Sequence, residues 1–344
     1  MKALMWNGPR QMDLVRLDVP EPARGEALIK VAVVGICGSD LEGYLGHNSL
    51  RKPPLLMGHE FSGTIVSIGW DVKGWSVGDR VVANPLIACG TCPRCVRGRP
   101  NLCDRRQIVG IHRPGAYAEY TTVPVSCLHK FPDSLSFEDA ALTEPLACAL
   151  RAVHRSIADF PLVQMLVIGA GPIGILSALT AQVLGAAKVW IMDKNERRLQ
   201  TAARLQLSGA FSSGDSDVAE QVRLAAGSRG VDVVLDAAGF QPTRELAIRL
   251  LNPGGIFMNI GLGIDDTVLP INHAIRSEIE IRGSFCYSPQ DFSDALCLLE
   301  SGKIGSEQWS TVRTLEDGTA SFEELVSGQT SIGKILLSMD LLRG

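Results

Sequence analysis

Apolar and polar positions follow two rhythms along this chain, and the change comes near residue 150. Before it, short runs rich in Val, Ile, Thr and Tyr stand between Gly, Pro and Asp: "EALIKVAVVGI", "FSGTIVSIG", "DRVVANPL" and "AYAEYTTVP". This pattern predicts an irregular, β-rich, barrel-like domain with long loops. After the change, "MLVIGAGPIGILSALTAQVLGAAKVWIMD" reads as strand, glycine turn, helix, strand. Further apolar strands follow at "VDVVLDAAG", "GGIFMNIG" and "IEIRGSF", with a helical stretch at "QPTRELAIRLL". That alternation predicts βαβ units and a parallel sheet, an α/β coenzyme-type domain. A helix at "QDFSDALCLLESGKI" and a short strand at "GKILLSM" close the chain, with no internal repeat or low-complexity tract.

Composition narrows the function classes. A chain of 344 residues suggests two domains, each able to bury a core without disulfides. The net charge of −4 gives no footprint for a nucleic-acid partner. The N-terminus lacks an apolar signal core, and no apolar run approaches the ~18 residues of a membrane span. The expectation is a cytoplasmic protein with no membrane or nucleic-acid partner. In a reducing compartment, clustered cysteines are metal ligands or catalytic groups rather than disulfides.

Four of the nine cysteines lie in "CGTCPRCVRGRPNLC": Cys89, Cys92, Cys95 and Cys103. Four thiolates at this spacing suit a tetrahedral Zn²⁺ with no open position, hence a structural site. Arg94, Arg97 and Arg99 interleave them and offset the negative charge of such a centre. A redox pair at Cys89–Cys92, scattered buried cysteines and a nucleic-acid zinc ribbon are the competing readings. A second, open site is suggested by Cys37 in "GICGSD" and by His59 and Glu60 in "MGHEFSG". Thiolate, imidazole and carboxylate form the set that a catalytic zinc uses while keeping one position free. Glu144 in "LTEPLACAL" is a fourth candidate, or the cap of the helix that follows.

The glycine loop "VIGAGPIG" places Gly169, Gly171 and Gly174, with Pro172 and Ile173 between the last two, after a strand and before a helix. Gly169 permits the tight turn, Gly171 the approach of a pyrophosphate, and Gly174 close helix–strand packing. Asp193 ends the next strand, 19 residues after Gly174, where a carboxylate binds the adenosine ribose and repels a 2′-phosphate. NAD(H) is therefore the expected coenzyme. Lys194, Arg197 and Arg198 leave room for NADP(H), or simply form a solvated helix start.

Taken with "GICGSDLEGY", "GHEFSG", "GAYAEY", "EPLACAL" and the terminal "GKILL", these motifs make the chain resemble the zinc-dependent medium-chain dehydrogenases over nearly its whole length. The nearest group is the polyol branch: sorbitol, threonine, butanediol and galactitol-1-phosphate dehydrogenases. The resemblance implies a GroES-like catalytic domain of residues 1–146 and 285–344 and a Rossmann domain, a doubly wound parallel sheet, of residues 147–284. It implies two Zn²⁺ per chain, NAD(H), and a homodimer or homotetramer. Cys37 and His59 match the catalytic zinc ligands, and Glu60 and Glu144 match carboxylates that bind the metal directly or through water. Asp40 matches the residue that orients His59. Ser39 matches the first hydroxyl of a proton relay, and Lys334, together with Arg198, is expected at the coenzyme. Glu42 departs from the family, many members of which carry His there, so Glu42, His47 and solvent all stand as the end of the relay.

The expected reaction is hydride transfer between NAD(H) and a secondary alcohol of a polyol, sugar alcohol, or sugar-derived acid or phosphate. A zinc-free reductase of activated alkenes and a non-catalytic NAD(H) sensor are the alternatives. Arg51, Lys52 and Arg113 are candidate holders of a substrate phosphate or carboxylate, or else ordinary surface charge or part of an interface.

Overall fold

A computed structural model describes residues 1–227, 229–328, 330 and 333–340. The chain forms two compact units. One comprises Met1–Glu144, Ser288–Thr330 and Lys334–Gly344; the other comprises Pro145–Tyr287 and Ser331–Gly333.

The first unit is organised around the strand Glu26–Gly35. Ile29, Val31 and Val33 on one face are buried, while Lys30 and Ala32 on the other are only half-buried, the alternation of a strand with one face on the core. It pairs antiparallel with Glu60–Ile68, Tyr120–Pro124 and Lys334–Ser338, and lies within a seven-stranded sheet. Two register shifts, at Leu28/Ile29 and Val31/Val33, interrupt its pairing with Glu60–Ile68. Such irregularities bend and twist a strand, consistent with the irregular pattern of the sequence. The register sets Gly35 opposite Glu60 on one side and opposite Leu336 on the other. Three segments far apart in sequence thus meet at one point of the sheet. The terminal "GKILLSM" stretch, expected only as a short strand, runs between Glu26–Gly35 and Ser310–Thr314 in the sheet interior.

The second unit carries a six-stranded, fully parallel sheet in the order Gly209–Ser212, Lys188–Asp193, Gln164–Ile168, Val231–Asp236, Leu251–Asn259, Glu280–Gly283. The order runs outward in both directions from Gln164–Ile168, the doubly wound pattern whose reversal point is where such sheets bind ligands. Central strands buried on both faces read as continuous apolar runs, and Met165 to Ile168 are at most 1% exposed. The strand Gly209–Ser212 and the helix Val218–Ala226 were not among the expected elements. The strand is only "GAFS", too short and too poor in β-branched residues to stand out. Among the described residues no helix is long and apolar enough to cross a membrane.

Candidate active site

The cysteine loop links two short antiparallel strands, Leu86–Ile87 and Gln107–Ile108. Within it the helix Pro93–Val96 begins directly after Cys92, and a short helical turn, Pro100–Leu102, leads into Cys103. The turns fold the four sulfurs together: Cys89 to Cys103 is 3.4 Å, Cys92 to Cys95 is 3.5 Å, and Cys89 to Cys95 is 4.0 Å. A zinc tetrathiolate with bonds near 2.3 Å has sulfur–sulfur edges of about 3.8 Å, so the four sulfurs fit the ion. No disulfide joins any of the nine cysteines. Backbone N–H groups of Thr91 and Cys92 pull the Cys89 thiol down to about 5, which favours the ligating thiolate. The expected arginines Arg94, Arg97 and Arg99 are exposed, whereas Arg105 donates to Cys89 Sγ at 3.5 Å. No spacing rule singles out Arg105, and the sequence reading missed it.

The second cluster is assembled from separate elements. Cys37 immediately precedes the helix Gly38–Tyr44, and His59 immediately precedes the strand that Glu60 opens. Together the three side chains form a group whose ligand atoms lie within 4.8 Å of one another. Ser39 and Asp40 occupy the first turn of the same helix. The Ser39 hydroxyl donates to Cys37 Sγ at 3.3 Å. His59 Nδ1 is 3.4 Å from Asp40 Oδ1, a loose contact, which leaves Nε2 as the ring nitrogen for a metal. Tyr117, within the quoted "GAYAEY" but given no role there, donates to Asp40 Oδ2 at 2.7 Å.

Glu60 is paired with Lys334, whose ammonium is 1% exposed. Gly35 makes room for this pair: a Cβ there would stand 2.5 Å from Glu60 Oε2 and 2.8 Å from Lys334 Cε. Glu144 lies outside the three-ligand group, but its charge reaches Lys334 and helps to raise that ammonium's pKa. Burial alone pulls Lys334 down; the charges of Glu60 and Cys37 outweigh it. Burial also opposes protonation of His59, yet Asp40 and Cys37 push the imidazole well above its ordinary value. For Asp40, burial pushes upward, while His59, Arg51 and Tyr117 together hold the carboxyl well below the usual range.

Those shifts describe a buried pocket that calls for positive charge. Arg51 pairs with Asp40 and Lys334 with Glu60, while Cys37, His59 and Glu60 bring a sulfur, an imidazole and a carboxylate together as donors toward one cation. The donor set therefore fits zinc with one position open.

In the second unit, Gly169 has φ +104°. A Cβ on Gly174 would meet Gly169 O at 1.6 Å, so the helix Pro172–Val183 packs as tightly as expected. A Cβ on Gly171 would meet nothing within 4 Å, leaving an open approach to the backbone. Pro172 and Ile173 form the first turn of that helix. Asp193 ends its strand with both oxygens engaged: Oδ2 accepts from Ala170 N–H at 2.7 Å and Oδ1 from Asn195 N–H at 2.8 Å. The Asn195 side chain caps the helix Glu196–Ala202 at Arg197 and Arg198.

The remaining candidates separate. Glu42 is exposed and bound to His47 Nδ1 at 3.2 Å. Arg113 is committed to Glu26 and the Thr122 carbonyl, and Arg51 to Asp40; Lys52 is exposed.

Comparison with known proteins points to one family. The family profile "Alcohol dehydrogenase GroES-like domain" matches residues 23–133, and "Zinc-binding dehydrogenase" matches residues 172–301. The probable D-xylulose reductase A of Aspergillus fumigatus is 34% identical over 314 residues, 88% of this chain and 87% of its own. The L-threonine 3-dehydrogenase of Cronobacter sakazakii is 34% identical over 99% of this chain and 100% of its own. Among solved structures, galactitol-1-phosphate dehydrogenase from Escherichia coli superposes with a TM-score of 0.91 at 29% identity, covering 98% of this chain and 100% of that one. The chain belongs to the zinc-binding dehydrogenases that carry an alcohol dehydrogenase GroES-like domain, the family its motifs resemble.

Proposed function

We propose that this chain catalyses reversible, NAD(H)-linked oxidation of a secondary alcohol on a polyol or sugar-derived compound. The observation that carries the reading is the convergence of Cys37, His59 and Glu60 in one buried group of anionic character. When bound, zinc supplies the Lewis acid that acidifies an alcohol, and NAD⁺ accepts the hydride. Cys37 and His59 hold the metal, and Glu60 and Glu144 supply further carboxylate, Glu144 from farther out. Ser39 accepts the alcohol's proton as its own hydroxyl proton passes onward, so the hydroxyl stays neutral. The surface pair Glu42–His47 is the candidate end of the relay, in place of the imidazole usual in the family. Lys334 neutralises Glu60; contact with a coenzyme phosphate, the role its family counterpart implies, requires the ammonium to turn from that carboxylate.

The catalytic domain is read as residues 1–146 and 285–344 and the coenzyme domain as residues 147–284, a division supported by the two compact units. Relatives that act on a ketose or a sugar-alcohol phosphate support the substrate class. With Arg51 and Arg113 engaged internally, the reading favours an uncharged polyol over a phosphate ester. The four-cysteine loop, gathered as a metal-ligand set rather than as disulfides, supports a cytoplasmic location. An edge strand, Glu280–Gly283, with exposed Ile271, Ile275 and Ile281 nearby, supports a homo-oligomer.

Metal analysis and a substrate panel test the reading. Two zinc ions per chain, and NADH formation with xylitol exceeding that with L-threonine or galactitol 1-phosphate, are expected. Clearly less than two zinc returns the zinc-free reductase; coenzyme binding without turnover across a broad polyol panel returns the sensor. Asp193→Ala tests coenzyme choice. Loss of the Ala170 contact weakens both coenzymes, so the NAD/NADP ratio of kcat/KM is the readout. It falls at least tenfold, about 1.4 kcal/mol, if Asp193 faces the adenosine ribose.

A further inference from the structure

Arg51 is buried, with its side chain 0% exposed, and is drawn inward rather than toward any solvent-facing anion. Its place in the fold is prepared. Gly43, on the helix that carries Ser39 and Asp40, leaves the space, because a Cβ there would lie 2.3 Å from Arg51 Cδ. A single nitrogen, Nη2, donates to Asp40 Oδ1 at 2.7 Å and to Ser39 Oγ at 3.2 Å. Each of those acceptors leads to a different member of the ligand group. Asp40 Oδ1 faces His59 Nδ1 at 3.4 Å, and the Ser39 hydroxyl donates to Cys37 Sγ at 3.3 Å. Arg51 also stands as the counter-ion of a carboxylate that is itself fully buried. Its Nε and Nη1 make no hydrogen bond, so the Nη2 contacts are its polar commitments here.

We propose that Arg51 is a positioning residue of the catalytic metal site, tying the His59 and Cys37 arms together through one guanidinium nitrogen. One chain runs Arg51–Asp40–His59 and sets the ring orientation. The other runs Arg51–Ser39–Cys37 and sets where the Ser39 hydroxyl lies against the thiolate. The two hydrogens of Nη2 are fixed in the guanidinium plane, so this one nitrogen addresses both acceptors in set directions; an ammonium is a point charge that turns on a flexible stem. Groups that orient metal ligands typically change metal affinity by about 10–100-fold when removed.

This rests on Cys37 and His59 being zinc ligands, so the zinc content of Cys37→Ser is measured alongside. Two zinc ions in Cys37→Ser would sink that ligand reading itself. The test of Arg51 uses the zinc-loaded full chain and its cobalt-substituted form. In Arg51→Met, a chelator such as dipicolinate removes one of the two zinc ions at least about tenfold faster, while release from the four-cysteine loop is unchanged. The cobalt–thiolate absorption band moves as it does in Ser39→Ala, which reports the lost hydroxyl orientation. Arg51→Lys keeps the buried charge and hence the fold, and serves where Arg51→Met fails to fold. It retains the tie to Asp40 but not both contacts, so zinc release rises only about threefold while the cobalt band still moves. Wild-type zinc release and an unmoved band in Arg51→Lys would overturn the proposal. So would release in Arg51→Lys as fast as in a folded Arg51→Met, because packing alone would then be the cause.

Discussion

The two sulfur-containing clusters of the first unit, each proposed to hold zinc, are built in opposite ways. In the closed cluster every ligand is a cysteine from residues 89–103, and the neutralising contacts come from the loop's own N–H groups and from Arg105. In the open cluster the ligands come from separate elements, and Asp40, Glu60 and Lys334 are at most 1% exposed. Water is not available there to solvate the carboxylates, so the counter-charges must come from inside. Lys334, near the chain's end, is brought into the sheet to meet Glu60, and Arg51 meets Asp40. The site that keeps a position free for chemistry is the one that needs an internal set of cations.

The largest expected effect separates the two clusters by function. Cys37→Ser removes a ligand of the open site and lowers kcat by about 10³-fold or more, the scale of a lost Lewis acid, with little change in melting temperature. Cys95→Ser does the converse: zinc content falls from two to one and the melting temperature drops by several degrees, because metal binding there is part of folding. Full zinc content and an unchanged melting temperature in Cys95→Ser would remove the structural assignment.

A subtler break targets the room made for the internal ion pair. Gly35→Ala drives a methyl group into Glu60 Oε2 and Lys334 Cε. Overpacking of this kind costs about 1–3 kcal/mol. Chemical denaturation should show that loss together with weaker retention of the open-site zinc, while the closed site keeps its ion. Equal loss from both sites would mean that the two are not independently built. The smallest effect is expected at the closed site's rim. Arg105→Ala removes an exposed donor to Cys89 Sγ. Zinc release from that loop should quicken by at most about threefold, and the effect should vanish at high salt. A much larger change would make Arg105 an integral part of the closed site.

The legibility of the two clusters follows from the same contrast. Four cysteines within one loop announce themselves, because local chain geometry alone brings them together. The glycine loop was legible for the same reason: each glycine answers a local demand, most plainly Gly174 against Gly169 O. The proposed ligands Cys37, His59 and Glu60 were marked by flanking glycines and by resemblance, but nothing local showed that they meet. Arg51 and Arg113 were read as candidates for a substrate anion, since a basic residue in a sequence carries no sign of its partner. In the fold Arg51 belongs to Asp40, and Arg113 to Glu26 and Thr122. Tyr117 was visible only as part of a motif, and its hydroxyl found its role on Asp40 once the chain had folded.

By itself, the sequence determined the two-part architecture, the parallel sheet with its glycine turn, and the closed cysteine site, because each rests on periodicity or on contacts between near neighbours in the chain. Only the tertiary structure decided that Lys334 enters the sheet interior to reach Glu60, that Arg51 spans Ser39 and Asp40, and that Glu42 turns outward to His47. Those outcomes depend on strand register and on burial. Strand register sets Gly35 between Glu60 and Leu336, and burial converts each unpaired charge into a demand for a partner that no local pattern encodes.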